Sequence, residues 1–298
     1  MNGFLNILKP PGMTSGGVVG ISKRLTRERV GHAGTLDPEA CGVLPIMVGR
    51  ATRLLDYFSQ KQKEYIAHIA FGASTDTQDA HGAVIDTSDL FPTQEQVKGV
   101  LAQFTGEIMQ CPPAYSALKR DGIPLYQLAR QGELVQTEPR KTQIDAITYR
   151  GQVATDAHML QVLCGKGTYI RTLCHDIGHA LDCPAHMRFL LRTLSGPFSI
   201  DNACTLEQMA QAAEEGTLEK LLLPLDYPLA HYRRVDLPKE LHEKALNGVK
   251  LDPSYFDVPL GEMVRMYIDD EFIGIAKMLE EHMRFQVLVT SAKEFHAR

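Results

Sequence analysis

The stretch from Gly31 to Leu44, GHAGTLDPEACGVL, constrains the fold most, because it holds too much glycine and proline for a helix interior. It carries one carboxylate, Asp37, directly followed by Pro38, and the apolar run at 43–48 after it predicts a short buried strand. A turn alone explains an Asp-Pro pair, since both residue types favour turns. A loop that delivers an acid to the edge of a strand is also a common way to present a catalytic group. Spacing alone leaves both interpretations open.

The composition is that of an ordinary globular protein. The chain has 298 residues, 44% hydrophobic and 22% charged, which predicts one large domain or a large and a small one. Its apolar stretches run to about eight residues, too short to span a membrane. The start lacks a basic segment and is interrupted by Lys9-Pro10-Pro11, which argues against a signal peptide. Six scattered cysteines without a Cys-x-x-Cys pair indicate reduced thiols and a cytoplasmic location.

The charge is distributed unevenly along the chain. The net charge is −5, yet residues 1–200 carry 20 Lys and Arg against 18 Asp and Glu. Residues 201–298 carry 11 against 18, and residues 1–65 carry 9 against 5. A polyanionic partner is therefore expected on the N-terminal two thirds, because a local basic surface is what attracts phosphates.

Apolar periodicity and capping residues predict a mixture of strands and helices without a regular βαβ alternation, which indicates an α+β fold. Strands are predicted at 4–8, 43–48, 63–72, 142–150 and 157–164. Helices are predicted from a cap at Thr14 or Ser15 to Leu25, and at 50–58, 94–104, 126–130, 171–182, 186–194 and after Thr205.

A change of composition after residue 225 indicates a second unit. Short strand-like runs at 263–268, 272–278 and 285–289 are separated by charged or glycine turns. We therefore predict a larger domain at 1–230 and a small, separate, β-rich module at 235–298.

Parts of the sequence partly match the requirements of two hydrolytic chemistries. His175 and His179 lie four positions apart and, with His186, superficially resemble a zinc helix. A metalloprotease helix has Glu where this chain has Asp176, so a zinc hydrolase is an alternative rather than the favoured interpretation. Glycoside cleavage needs two carboxylates that face each other across the scissile bond, and Asp37 and Glu39, two residues apart in an extended chain, are not expected to face each other. Asp76 or Asp79 could be a distant partner for Asp37.

A nucleophilic carboxylate used alone is the third possibility. Such an Asp needs a partner that keeps it ionised and positioned, and Arg171, at the start of a predicted helix, suits this role by lowering the pKa of the carboxyl. A Tyr would complete a site for a flat base by stacking. The preceding Gly165–Thr168 segment is either a plain turn or a phosphate cradle at a helix start.

Seven blocks in order resemble the TruB-type tRNA pseudouridine synthases. The Gly31–Leu44 stretch carries the strongest match. The other blocks are Asn6–Pro10 with Gly12–Ser15; Lys63–Tyr65; Thr75–Thr77 with Asp79 and Gly82; Pro112–Ala117 with Lys119 and Gly122; Lys166–Arg171; and Ala185–Leu190 with Arg192 and Gly196. Seven ordered blocks over residues 6–198 are far more specific than any one of them.

The resemblance implies a role for each matched residue. Asp37 is expected to be the nucleophile, Arg171 its ion-pair partner, and Tyr65 the ring that stacks on the target base. Tyr169 and Leu190 are expected to line the uracil pocket, and His32 to hold the RNA loop after the base flips out. Lys9 and Lys166, which lie in matched blocks, are further candidates for substrate binding. Whether Asp37 attacks the sugar C1′ or the base C6 stays open.

The resemblance also implies the reaction and its partners. The expected substrate is the uridine at position 55 in the T loop of tRNA, bound as a T stem-loop, with no metal or organic cofactor. The expected fold is a mixed, mainly antiparallel sheet flanked by helices, followed by a PUA-like RNA-binding module, in a monomer. Three positions depart from the family pattern: Gly16-Gly17 replace His-Asp, and Leu191 replaces an Arg. A non-catalytic tRNA-folding protein on the same fold is a further alternative.

Overall fold

A computed structural model describes residues 1–58, 62–116, 118–120, 122–131 and 137–295. Its strands are β1 (Gly3–Lys9), β2 (Val30–His32), β3 (Cys41–Val48), β4 (Lys63–Phe71), β5 (Ala73–Thr75), β6 (Val84–Thr87), β7 (Gly106–Gln110), β8 (Lys119–Arg120), β9 (Ile123–Pro124), β10 (Arg140–Ala154), β11 (Ala157–Cys164), β12 (Ala185–Ser195), β13 (Phe198–Ser199), β14 (Arg233–Asp236), β15 (Met263–Ile268), β16 (Glu271–Met278) and β17 (Met283–Leu288). The α-helices are α1 (Ser15–Thr26), α2 (Leu55–Phe58), α3 (Gln94–Val100), α4 (Leu125–Arg130), α5 (Ile170–Ala180), α6 (Leu206–Glu214), α7 (His242–Leu246) and α8 (Ala292–Phe295).

The large sheet has the strand order β1-β3-β12-β4-β11-β10-β7, with β2 on β3 and β13 on β12. Its pairs are antiparallel except for the parallel contact of β12 with β3. Helices α1 and α6 pack with β1 and β3 around one hydrophobic cluster, and α3 and α5 pack with β4, β11 and β12 around another. This is the predicted α+β class, with a mixed and mainly antiparallel sheet flanked by helices.

Local sequence signals located most elements correctly. The capping boxes of Thr93 with Gln96 and of Thr205 with Gln208 are both formed at the starts of α3 and α6. The side chain of Thr14 caps α1 by accepting a hydrogen bond from the backbone N–H of Gly17. The predicted helix at 50–58 is a 3₁₀ helix over Gly49–Leu54 followed by α2. A helix is present at Leu125–Arg130; its predicted end at Gly132 lies outside the described residues.

The helix predicted at 186–194 is wrong, because this segment is the strand β12. Its Leu, Met and Arg residues favour helix in isolation. Their backbone groups instead pair with β4 along most of β12 and with β3 at Leu191 and Arg192. Pairing with strands more than 100 residues away therefore determines the conformation of this segment. A local sequence window does not contain these pairing partners.

A second sheet, of order β14-β15-β16-β17, is built from Arg233–Leu288. It packs against the first domain through a shared hydrophobic cluster that contains Phe4 and Phe58 on one side and Tyr267 and Phe272 on the other. The predicted β-rich character of this segment is therefore observed, together with an extensive contact that the sequence did not indicate. No helix within the described part of the chain has the length and hydrophobicity needed to cross a membrane.

Candidate active site

The loop that carries Asp37 is fixed by two buried side chains beneath it. The Ser15 hydroxyl, at the start of α1, donates to the carbonyl of Leu36 (3.1 Å) and accepts from its N–H (2.9 Å). The Lys9 ammonium donates to the carbonyl of Pro38 (2.8 Å) and to two carbonyls of the β1–α1 turn. The residues on both sides of Asp37 are thus anchored, because buried carbonyl and amide groups need such partners.

A third anchor comes from β12. Arg192 is fully buried, and its guanidinium donates from Nε to the carbonyl of Val43 (2.7 Å) and from Nη2 to the carbonyl of Gly34 (3.1 Å). The close approach depends on Gly42, where a Cβ would lie 2.2 Å from the Arg192 carbonyl oxygen and where φ is +111°. A side chain at residue 42 would therefore separate β3 from β12.

Asp37 faces Arg171 in a side-on ion pair. Arg171 Nε lies 3.0 Å from Oδ2, and its Nη2 donates to Oδ1 at 3.3 Å. The guanidinium is buried in the first turn of α5 and also donates to the carbonyls of Tyr115 (2.9 Å) and Thr77 (3.2 Å). These contacts fix Arg171 in one orientation, and it in turn orients the carboxylate.

The surroundings of Asp37 raise its pKa above the usual value of 3.8, because burial outweighs the opposing charge of Arg171. Asp79 adds to the rise; its Oδ2 lies 3.6 Å from Arg171 Nη1, so two carboxylates share one guanidinium. The expectation that Arg171 lowers the pKa of Asp37 is correct in direction, but the net shift is upward.

Asp37 and Arg171 line a cavity of about 230 Å³. The residues around it come from the Asp37 loop, the start of β4, the segment after β7, the turn before α5 and the middle of β12: Gly34–Asp37, Lys63, Tyr65, Ser116, Gly165–Arg171, Leu190 and Arg192. Strands β12 and β4 are adjacent in the sheet, and α5 covers them, so elements far apart in sequence meet here.

Three predicted base-contacting residues lie together in this cavity. Tyr65 is 7% exposed and belongs to the face of β4 that α5 covers. Leu190 on β12 is also 7% exposed. Tyr169 precedes α5, and the Gln110 amide holds its backbone by donating to its carbonyl (3.2 Å) and accepting from its N–H (3.0 Å). An aromatic ring and an aliphatic side chain near an ion pair suit a flat, polar ligand.

The remaining three candidates occupy different positions. Lys166 is exposed and lines the cavity. His32 ends β2 beside Ile46, is half-buried and is absent from the cavity lining; burial and the charge of Arg192 lower its pKa. Lys9 is fully buried with its ammonium protons on three carbonyls, an arrangement that anchors the loop and leaves no donor for a ligand.

The histidines of the zinc alternative do not form a three-ligand cluster. His175 and His179 approach each other on α5, with their Nε2 atoms 3.3 Å apart. His186 lies on β12, where its Nδ1 contacts the carbonyl of Ala73 (2.8 Å). Within the described ranges, no group of three or more His, Cys, Asp or Glu side chains is arranged to hold a metal ion.

Sequence reasoning assigned no role in the site to Ser15, Lys63 or Arg192, and it considered Asp79 only as a distant partner of Asp37 in glycoside cleavage. Each lies inside a matched block, so block membership was the available signal. Their contacts could not be read from the sequence, because each acts on a backbone or side-chain group from a distant part of the chain.

Two family models match consecutive parts of the chain. The N-terminal domain of the TruB family pseudouridylate synthases matches residues 22–170. The C-terminal domain of tRNA pseudouridylate synthase B matches residues 171–230.

Similar proteins cover nearly the whole chain. The tRNA pseudouridine synthase B of Alkaliphilus oremlandii is 41% identical over 286 residues, which are 94% of each chain. The same enzyme of Clostridioides difficile is 40% identical over 96% of this chain and 98% of its own. Among solved structures, a chain in the crystal structure of a Cbf5–Nop10–Gar1 complex is similar with a TM-score of 0.74 and 26% identity, over 98% of this chain and 86% of that one.

Proposed function

The chain belongs to the TruB family of pseudouridylate synthases, tRNA-modifying isomerases, and we propose that it converts the uridine at position 55, in the T loop of tRNA, into pseudouridine. The observation that carries this proposal is the meeting of Asp37, Arg171 and Tyr65 in one cavity. A volume of about 230 Å³ suits a single nucleobase with part of its sugar.

The reaction redistributes bonds within one nucleotide. The N1–C1′ bond breaks, the uracil turns, and a C5–C1′ bond forms; C5 loses a proton and N1 gains one. No electron or phosphoryl group is transferred, so the substrate supplies all the atoms of the product. The base must leave the RNA stack to reach the cavity, and stacking on Tyr65 offsets part of the unstacking cost of a few kcal/mol.

Asp37 is proposed as the nucleophile. Its carboxylate is held by Arg171 and by the anchored loop, so its oxygens are already oriented when the nucleotide enters. Attack at C1′ displaces the uracil as an anion, and attack at C6 breaks the aromatic character of the ring first. Either route regenerates the free carboxylate when pseudouridine is released.

Tyr169 and Leu190 are proposed to border the flipped uracil, and Lys166 to contact RNA from the cavity rim. His32 is proposed to contact the RNA loop from β2, beside the Asp37 loop.

The module of residues 235–298 is proposed as a PUA-like RNA-binding unit, with the catalytic domain at 1–230. We propose further that the enzyme works as a monomer, in the cytoplasm and without a metal or organic cofactor.

Tritium release from a T stem-loop transcript with [5-³H]uridine tests the proposal. We expect one tritium released per transcript with uridine at position 55, and none when that uridine is replaced by cytidine. Asp37→Asn keeps the shape of the side chain but loses the nucleophile, so release should fall by at least about 10⁴-fold while RNA binding is retained. Unchanged release by Asp37→Asn would refute the nucleophile assignment.

A further inference from the structure

The charges that line the cavity are unequally paired. Asp37 pairs with Arg171, and Asp79 shares the guanidinium of Arg171. Three further cations line the cavity: Lys63, at the start of β4, Arg192, on β12, and Lys166. Within the part of the chain that the structure describes, no carboxylate forms an ion pair with any of these three cations.

Lys63 and Arg192 converge on one point of the Asp37 loop. A Cβ at Gly34 would lie 3.6 Å from Lys63 Cε and 3.7 Å from Arg192 Nη1. Arg192 Nη1 is buried and makes no well-formed hydrogen bond among the described residues, and the guanidinium interacts with the buried Tyr65 hydroxyl. The partners of this guanidinium are neutral groups, so its charge is not compensated. A buried cation without a counter-charge is costly, which suits the cavity to a ligand that supplies a negative charge.

The charges facing Lys63 come from three elements. Arg192 of β12 and Lys166 of the turn before α5 repel its ammonium group, and Cys164 of β11 lies beside it. Burial raises the pKa of the Cys164 thiol to about 11, so this side chain is neutral at pH 7. Burial and Arg192 together lower the pKa of Lys63 to about 8. The Lys63 ammonium group is therefore a cation at neutral pH, and a bound anion would stabilise it.

We propose that Lys63 and Arg192 form a phosphate subsite that receives a backbone phosphate next to the flipped uridine, with Lys63 as the direct contact. This inference rests on the proposed function, since it takes the ligand to be an RNA nucleotide. Lys63 is half-buried beside the exposed Lys166, whereas Arg192 is fully buried below both. A backbone phosphate must stay at the opening of the cavity because it continues into the RNA chain. Lys63 therefore contacts the phosphate directly, and Arg192 attracts it through its charge.

Lys63→Met tests the subsite, with Lys220→Met as the matched control because Lys220 is an exposed lysine outside the cavity. The slope of log Kd against log salt for a T stem-loop should fall by about one in Lys63→Met and stay unchanged in Lys220→Met. Lys63→Met should lower kcat/KM for tritium release by a larger factor than kcat, since a phosphate contact contributes more to binding than to the chemical step. An unchanged slope would overturn the subsite. An unchanged slope together with a lower rate of tritium release would assign the charge of Lys63 to the uracil instead.

RNA with a neutral methylphosphonate on the 5′ or the 3′ side of the target uridine tests the ligand itself. One of the two methylphosphonates should weaken RNA binding by the wild type. The same methylphosphonate should not weaken RNA binding by Lys63→Met any further, because this variant already lacks the charge that pairs with the phosphate. Equal losses in both proteins would overturn the assignment.

A second measurement avoids reliance on the folding of Lys63→Met. RNA binding by the wild type should weaken as pH rises through about 8 and above, while Lys63→Arg keeps its charge and its affinity. Parallel pH profiles for the two proteins would contradict the subsite. Failure of the proposed function is distinguishable, because the wild type would then release no tritium even if these binding tests succeed.

Discussion

The proposed role of Asp37 as a nucleophile requires the ionised carboxylate, and the surroundings of Asp37 raise its pKa above the usual value. Burial raises its pKa, Asp79 adds to the rise, and Arg171 is the main opposing charge. The acidic limb of the activity profile should therefore report this carboxyl, with activity falling as pH decreases through its pKa.

Arg171→Ala should move this acidic limb to higher pH by about one unit or more, because the charge that favours the carboxylate is lost. The measurement is kcat/KM for tritium release between pH 5 and 9. Arg188→Ala is the matched control, since Arg188 pairs with Asp156 at the surface, outside the cavity. A limb that stays in place in Arg171→Ala would contradict the role of this ion pair.

At the same scale, the sequence predicted the residues that line the site better than those that support it. Asp37, Tyr65 and Arg171 lie in recognisable blocks, and the structure brings them together. Lys9 is a candidate for substrate binding because it lies in a matched block, and the structure places it in the interior. Its burial follows from the return of the Asp37 loop over β1, a tertiary contact that no local pattern encodes.

At the scale of elements, two helix-interior glycines have opposite settings. Gly20 in α1 is exposed, and a Cβ there would meet nothing within 4 Å. Gly178 in α5 faces the start of β12, where a Cβ would lie 2.6 Å from the Cβ of Ala185. The first glycine only weakens its helix, whereas the second permits the contact of α5 with β12.

Gly20→Ala should raise the free energy of unfolding by about 0.5–1 kcal/mol, and Gly178→Ala should lower it by about 1–3 kcal/mol. Urea denaturation of the two variants beside the wild type measures both changes. Equal shifts in the same direction would show that helix propensity, rather than packing against β12, governs position 178.

The elements also show where local signals fail. Caps and periodicity correctly indicated α1, α3 and α6, because the residues that stop and start a helix are its own neighbours. β12 was predicted as a helix, since its pairing partners are absent from any local window. The short strands β2 and β14 were not predicted at all, because three or four residues carry too little periodicity.

At the scale of the whole molecule, the C-terminal sheet is tied to the first domain by a buried polar group. The Tyr267 hydroxyl donates to Asp226 (2.5 Å) and accepts from Arg265 Nη1 (2.9 Å), and Arg265 Nε donates to the Tyr232 carbonyl (2.9 Å). Together with the shared hydrophobic cluster, these bonds predict that both sheets unfold in one transition.

Tyr267→Phe should lower the free energy of unfolding by about 1–3 kcal/mol, because it removes hydrogen bonds to charged partners at a buried position. Tyr255→Phe, at a tyrosine of the same module that is 48% exposed, should change it by less than about 0.5 kcal/mol. Both variants should release tritium at the wild-type rate, and a selective loss of activity in Tyr267→Phe would indicate that the module acts in catalysis.

The position of β12 between β3 and β4 sets the order in which a new molecule can become active. Arg192 holds Gly34, although the two residues are 158 positions apart in the chain. While the ribosome has synthesised only the first half, β3 lacks its neighbour β12, and the Asp37 loop lacks the support of Arg192. Contacts between such distant segments form slowly during folding. A nascent chain therefore carries Asp37, the proposed nucleophile, long before its loop is supported, and we expect activity only after the strand with Arg192 has been added.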